Sequence, residues 1–148
     1  EIVLKGRDLN ECESNVRALI DAHGYTLIHP YDNPHVVAGQ GTAGLEMLRS
    51  VPELDMLVVP IGGGGLIAGM ALIAKSIKPE IQIIGVEAEL YPSVSQMIAG
   101  QPVICGGETI AEGIAVKSPG SITLPIIEDE INTKGVHDGV FSTRLKIC

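Results

Sequence analysis

The sequence predicts an α/β fold: a mostly parallel, twisted sheet with helices on both faces. Three observations carry this. Asp55–Ile61 (DMLVVPI) and Ile81–Glu87 (IQIIGVE) are nearly continuous apolar runs of strand length, as strands covered on both faces would be. Between them lies Leu66–Ile77, long and apolar enough for a helix, so strand, helix and strand follow one another as in a parallel crossover unit. Aromatic residues make up only 3% of the chain, so the core is built from Ile, Val, Leu and Ala, which suits a helix-covered sheet better than a sandwich with aromatic anchors.

The remaining elements follow in order. Glu1–Gly6 (EIVLKG) reads as a short strand closed by glycine. Asp8 or Asn10 is placed to cap a helix over Glu11–His23, where Val16, Leu19 and Ile20 form one apolar stripe and Gly24 is the stop. Tyr25–Pro30 reads as a second strand, followed by a turn at Asp32-Asn33-Pro34. Gly39-Gln40-Gly41-Thr42 leads into a helix carrying Leu45 and Leu48, and is either a helix N-terminal turn or a polar stretch beside a crevice. Beyond the central unit come a short helix over Tyr91–Gly100, a short strand at Pro102–Cys105, a turn or helix start at Glu108–Gly113, and a helix over Ile122–Ile131. The acidic run Glu128–Glu130 is read as a solvated face. Lys134–Cys148 carries no periodicity.

Composition excludes several functions. A net charge of −8 argues against nucleic acid or anionic membrane as partner. No apolar run approaches the ~20 residues of a membrane span, and no basic start precedes an apolar stretch. Cys12, Cys105 and Cys148 are odd in number, far apart and without metal-type spacing, which points to a reduced, cytoplasmic setting. His29 and His35 flank a proline-containing turn and read as surface or hinge residues rather than catalysts. The mean hydropathy of +0.31 is high for 148 residues, so part of the surface is expected to pack against other chain, as in a homo-oligomer.

Gly62-Gly63-Gly64-Gly65 carries the chemistry. Consecutive glycines between a buried strand and a helix turn tightly and present several N–H groups on one side. The helix start adds unpaired amides and the positive end of its dipole, which together suit a phosphate. A Walker loop is excluded because no Lys-Ser/Thr follows. Two readings remain. Gly63, Gly65 and Ala68 satisfy G-x-G-x-x-G/A with Glu87 ending the next strand, as in a nucleotide-binding module. A uniform tetraglycine also suits a single phosphate wrapped by successive amides.

The flanking blocks bear on the choice: HPYDNPHVVAGQGTAGLEML (His29–Leu48), VVPIGGGGLIAGMA (Val58–Ala71), IIGVEAE (Ile83–Glu89) and ETIAEGIAVK (Glu108–Lys117). In order and spacing they resemble the tryptophan synthase β-like (fold type II) pyridoxal-phosphate enzymes, in the serine/threonine dehydratase and serine racemase branch. The resemblance implies that Gly62, Gly63, Gly64, Gly65 and Leu66 bind the cofactor phosphate, and that Gly113 passes beside the cofactor ring. Glu87 matches a carboxylate that joins a divalent-cation site in some members, but Ser93 stands at the position of the accompanying acid, which argues against the ion. His29 begins the return from a small domain to a large one, so 1–32 is expected to be a remnant of the small domain and 33–148 part of the large, phosphate-binding domain.

The family chemistry so implied is elimination of water from L-threonine or L-serine, giving a 2-oxo acid and ammonia. It depends on a Schiff-base lysine in a Ser-Phe-Lys motif. None of Lys5, Lys75, Lys78, Lys117, Lys134 and Lys146 has that context, so no catalytic residue is assigned. The chain is expected to be an internal piece of such an enzyme, inactive alone. A non-catalytic structural fragment is the further alternative.

Overall fold

A computed structural model describes residues 2–6 and 9–132. Helix α1 (Leu9–His23) ends where Gly24 enters the left-handed region at φ 68° and donates its amide to the Ile20 carbonyl at 2.7 Å. Val16, Leu19 and Ile20 form its half-buried face. Asp8 lies outside the described residues, and Asn10 falls inside the helix rather than before it.

Helix α2 (Pro34–Ser50) starts well before Gly39. Asn33 caps it in extended conformation, its side-chain oxygen accepting from the amides of His35 and Val36, with Pro34 preset for the first turn. Gly39–Thr42 is thus helix interior and not a helix N-terminal turn. Its Gly41, with Gly44, Val37 and Leu48, makes the buried stripe of α2 against α3 (Gly65–Ile77). Glycine is required at that crossing: a Cβ on Gly41 would lie 2.9 Å from the Gly69 carbonyl oxygen, and one on Gly69 would run into the Val37 carbonyl.

Strands β1 (Met56–Pro60) and β2 (Gln82–Val86) pair in parallel, with Leu57 opposite Ile83 and Val59 opposite Gly85. Bonds from Gln82 to Asp55 and from Ile61 to Val86 extend the ladder at both ends. Their buried face meets α3 and the later helix α5 (Thr123–Asn132), around Leu57, Val59, Ile61, Ile67, Ile81 and Ile127. The fold class is the expected α/β one with parallel strands. Among the described residues, however, β1 is covered on one face only: Met56 is 40% and Val58 62% exposed.

Short helix α4 (Ser93–Ile98) follows β2, and one 3-10 turn spans Glu112–Ile114. The segments expected as strands at Glu1–Gly6, over its described residues 2–6, and at Tyr25–Pro30 are extended but unpaired. An extended segment becomes a strand only by bonding a neighbour, and none lies beside either among the described residues. Ile2, Leu4 and Ile28 accordingly stand exposed. Pro102–Cys105 is not a strand either, because the Ile104 amide donates to the Gln96 side chain at 2.7 Å. Residues 133–148, including the tail from Lys134 and Cys148, lie outside the described residues.

Candidate functional site

The tetraglycine leaves β1 and opens α3. Gly64 is the N-cap of α3, at φ 92° and ψ −5°, a conformation that L side chains rarely adopt. Each neighbour is glycine for a different packing reason. A Cβ on Gly63 would enter the Tyr31 ring, one on Gly65 would lie 3.0 Å from Tyr31 Cα, and one on Gly62 would lie 3.2 Å from Ile114 Cα. The amides of Gly62–Leu66 donate to no acceptor among the described residues, whereas Ala68 begins the helical ladder by donating to the Gly64 carbonyl at 3.0 Å. The loop therefore offers a row of free donors at the positive end of a 13-residue helix.

Gly113 lies beside this loop, its carbonyl oxygen 3.5 Å from where a Gly62 Cβ would be. A Cβ built on Gly113 itself meets nothing within 4 Å. Unlike the loop glycines, it borders open space. These two features fit a phosphorylated planar ring: donors for the phosphate, and clearance alongside for the ring.

Residues to which the sequence assigns no part in the site hold the loop. Thr123, fully buried at the head of α5, donates its hydroxyl to the Gly63 carbonyl at 2.7 Å, and the Gly120 amide donates to the same oxygen at 3.2 Å. Asp32 accepts from the amides of Ser121 and Ile122 and from the Ser121 hydroxyl, at 2.7–2.9 Å. Burial alone would raise the Asp32 carboxyl, but these hydrogen bonds outweigh it and hold the group below its ordinary value. Tyr31 donates its hydroxyl to the Ser118 carbonyl at 3.0 Å; burial first, then the charges of Asp32 and Glu13, push its phenol upward. His29 accepts through Nδ1 from the amides of Tyr31 and Asp32, shaping the turn rather than facing the loop. A threonine before an apolar helix reads as a local cap; its bond to a carbonyl 60 residues away leaves no pattern in sequence.

Glu87 is buried at the end of β2, where its two oxygens accept from the amides of Val94 and Ser95 at 2.7 and 2.9 Å. Ser93 donates to the Val116 carbonyl at 3.0 Å. Glu87 thus closes α4 onto β2, and among the described residues no group of three His, Cys, Asp or Glu side chains could hold a metal. A carboxylate so engaged is not presented to a ribose, which weighs against the nucleotide reading. Cys12 and Cys105 are free thiols, and burial, then the charge of Glu87, raises the Cys105 thiol. No helix among the described residues is long and apolar enough to cross a membrane.

Comparison with known proteins decides between the two phosphate readings. The profile of the family described as pyridoxal-phosphate dependent enzyme matches residues 1–138. The chain belongs to this family. It is 37% identical over 134 residues to the L-threonine ammonia-lyase of Thermotoga maritima, covering 89% of this chain and 33% of that protein. It is 42% identical over 134 residues to the L-threonine ammonia-lyase of Geobacter sulfurreducens, with the same two coverages. Maize serine racemase superposes with a TM-score of 0.81 at 36% identity, covering 88% of this chain and 41% of that one. The chain thus spans about a third of the length of these curated relatives. Nothing in these matches favours a nucleotide-binding module.

Proposed function

We propose that the chain is the phosphate-binding part of a pyridoxal-phosphate-dependent lyase that eliminates water from L-threonine or L-serine, giving a 2-oxo acid and ammonia. The observation that carries this is the row of unclaimed amides from Gly62 to Leu66, opening α3 beside the clear space at Gly113. The names of the curated relatives support the lyase reading. Such a cofactor, when bound, supplies an electron sink for charge developed at the amino acid's Cα. The chain's own residues bind and orient: Gly62–Leu66 hold the phosphate through N–H groups, and Gly113 leaves room for the ring. No lysine of the chain sits in the Ser-Phe-Lys context, so none is assigned to move the Cα proton, and the chain alone is expected to be inactive. Glu87 is assigned to α4 rather than to a divalent cation.

The domain division belongs to the same proposal, with 1–32 as small-domain remnant and 33–148 as the partial large domain. It is supported by Asn33 opening α2 directly after the Tyr31–Asp32 contacts. A cytoplasmic homo-oligomer completes the reading: exposed Ile2, Leu4, Ile28 and Val58 support association, and the free thiols of Cys12 and Cys105 support a reducing compartment.

Calorimetry with pyridoxine 5′-phosphate and with pyridoxine tests the binding assignment, since neither has an aldehyde to react with stray lysines. The phosphorylated compound should bind and the other should not; equal binding would remove the assignment. Supplying a lysine-bearing segment ahead of Glu1 should then yield ammonia from L-threonine or L-serine, and failure of a folded, cofactor-loaded protein to do so would reject the lyase.

A further inference from the structure

We infer that Thr123 is a positioning residue for the glycine loop, holding the Gly63 carbonyl so that the Gly64 amide faces the bound anion. This rests on the phosphate-binding reading above. The Thr123 hydroxyl carries one proton and has two carbonyls near it, Gly63 at 2.7 Å and Gly120 at 3.4 Å. The Gly120 amide donates into the same hydroxyl at 3.1 Å, so a lone pair is occupied and the proton is left for the nearer carbonyl. The Gly120 N–H is shared with the Gly63 oxygen itself at 3.2 Å, so two donors hold that oxygen and the Thr123 hydroxyl is the nearer of them.

In a trans peptide the C=O of one residue and the N–H of the next point in opposite directions, and the described chain has no cis peptide bond. Anchoring the Gly63 oxygen on α5 therefore turns the Gly64 N–H away from α5. Four successive glycines impose almost no conformational preference on their peptides, so a loop without such an anchor would lose orientational freedom at each binding event. The packing agrees with the hydrogen bonding. A Cβ on Gly64 would lie 2.8 Å from Thr123 Oγ1, and the Tyr31 ring covers Gly63 where a Cβ would go, so the peptide between Gly63 and Gly64 is bounded on two sides.

Thr123→Val keeps the shape and removes the hydroxyl, whereas Thr123→Ser keeps the hydroxyl. Binding of pyridoxine 5′-phosphate should weaken about tenfold in Thr123→Val, the scale of one lost hydrogen bond, and remain within about threefold of the original in Thr123→Ser. In amide NMR spectra of the unsubstituted chain, inorganic phosphate should move the Gly64 cross-peak downfield; this needs no variant and stands even if Thr123→Val fails to fold. Two results would overturn the inference while leaving the phosphate site intact: a folded Thr123→Val that binds as the original does, or a phosphate response of the other loop amides without Gly64. An unsubstituted chain that responds to neither probe would overturn the phosphate site and this inference together.

Discussion

Replacing Gly113 by alanine separates stability from ligand binding. The added methyl meets nothing within 4 Å, and Gly113 lies at negative φ, so the folded chain accepts it without strain. Removing a glycine also narrows the unfolded ensemble, which stabilises by about 0.4–1 kcal/mol where the native backbone is compatible. The same methyl stands in the space assigned to the cofactor ring. Intrusion of one carbon into a well-packed contact costs about 1–3 kcal/mol, equivalent to roughly five- to 150-fold in affinity at about 1.4 kcal/mol per tenfold. Urea denaturation and calorimetry with pyridoxine 5′-phosphate, run on the same preparations, read the two quantities. Gly113→Ala should be at least as stable as the original and bind the ligand at least fivefold more weakly. Unchanged affinity would show that the ring does not lie against Gly113, and marked destabilisation would show that the space is not open.

Gly64→Ala should behave in the opposite way. Its φ of 92° costs about 1–2 kcal/mol for an L residue, and contacts at 2.8 Å to Ile127 Cδ1 and Thr123 Oγ1 add about 1–3 kcal/mol, a loss visible in the urea midpoint. Asp32 has a lowered folded carboxyl value, so its contribution is present above the ordinary carboxylate range and fades as pH falls through and below it. Melting temperatures followed downward from pH 6 should drop less steeply in Asp32→Asn than in the original, and parallel curves would contradict this. Val58→Lys places a charge on the open face of β1, where Val58 is 62% exposed. Light scattering after gel filtration should show less association than in the original if that face joins copies, and an unchanged mass would exclude it.

The central unit was legible because each of its signals is local. β1, α3 and β2 follow from two apolar runs and an apolar helix, and the glycines between them mark the site. What escaped depends on distance along the chain. EIVLKG and YTLIHP have strand composition, yet a strand is a relation between two segments, and neither finds its partner among the described residues. Gly39–Thr42 suggests the lead-in to a helix because glycine disfavours a helix interior; the close crossing with α3 overrides that preference, with Gly41 against Gly69. Thr123 and Asp32 act on residues 60 and about 90 positions away, and no periodicity encodes such bonds. That only one face of β1 is covered among the described residues was not legible either, since an apolar run states what a strand requires and not which elements cover it.

The glycine crossing of α2 and α3 has a mechanical consequence. α2 begins directly after Tyr31 and Asp32, and α3 begins at the tetraglycine, so the contact of Gly41 with Gly69 bolts together the two helices that start on either side of the site. Tyr31 then closes the figure, with its ring on Gly63 and its hydroxyl on Ser118. Contacts this close transmit displacement rather than absorb it. Tyr31, Asp32, the loop and the start of α5 are therefore joined by direct packing and hydrogen bonds. The join to α1 is looser: among the described residues Tyr25–Ile28 is extended without strand pairing, and His29 is where side-chain bonds to the turn begin.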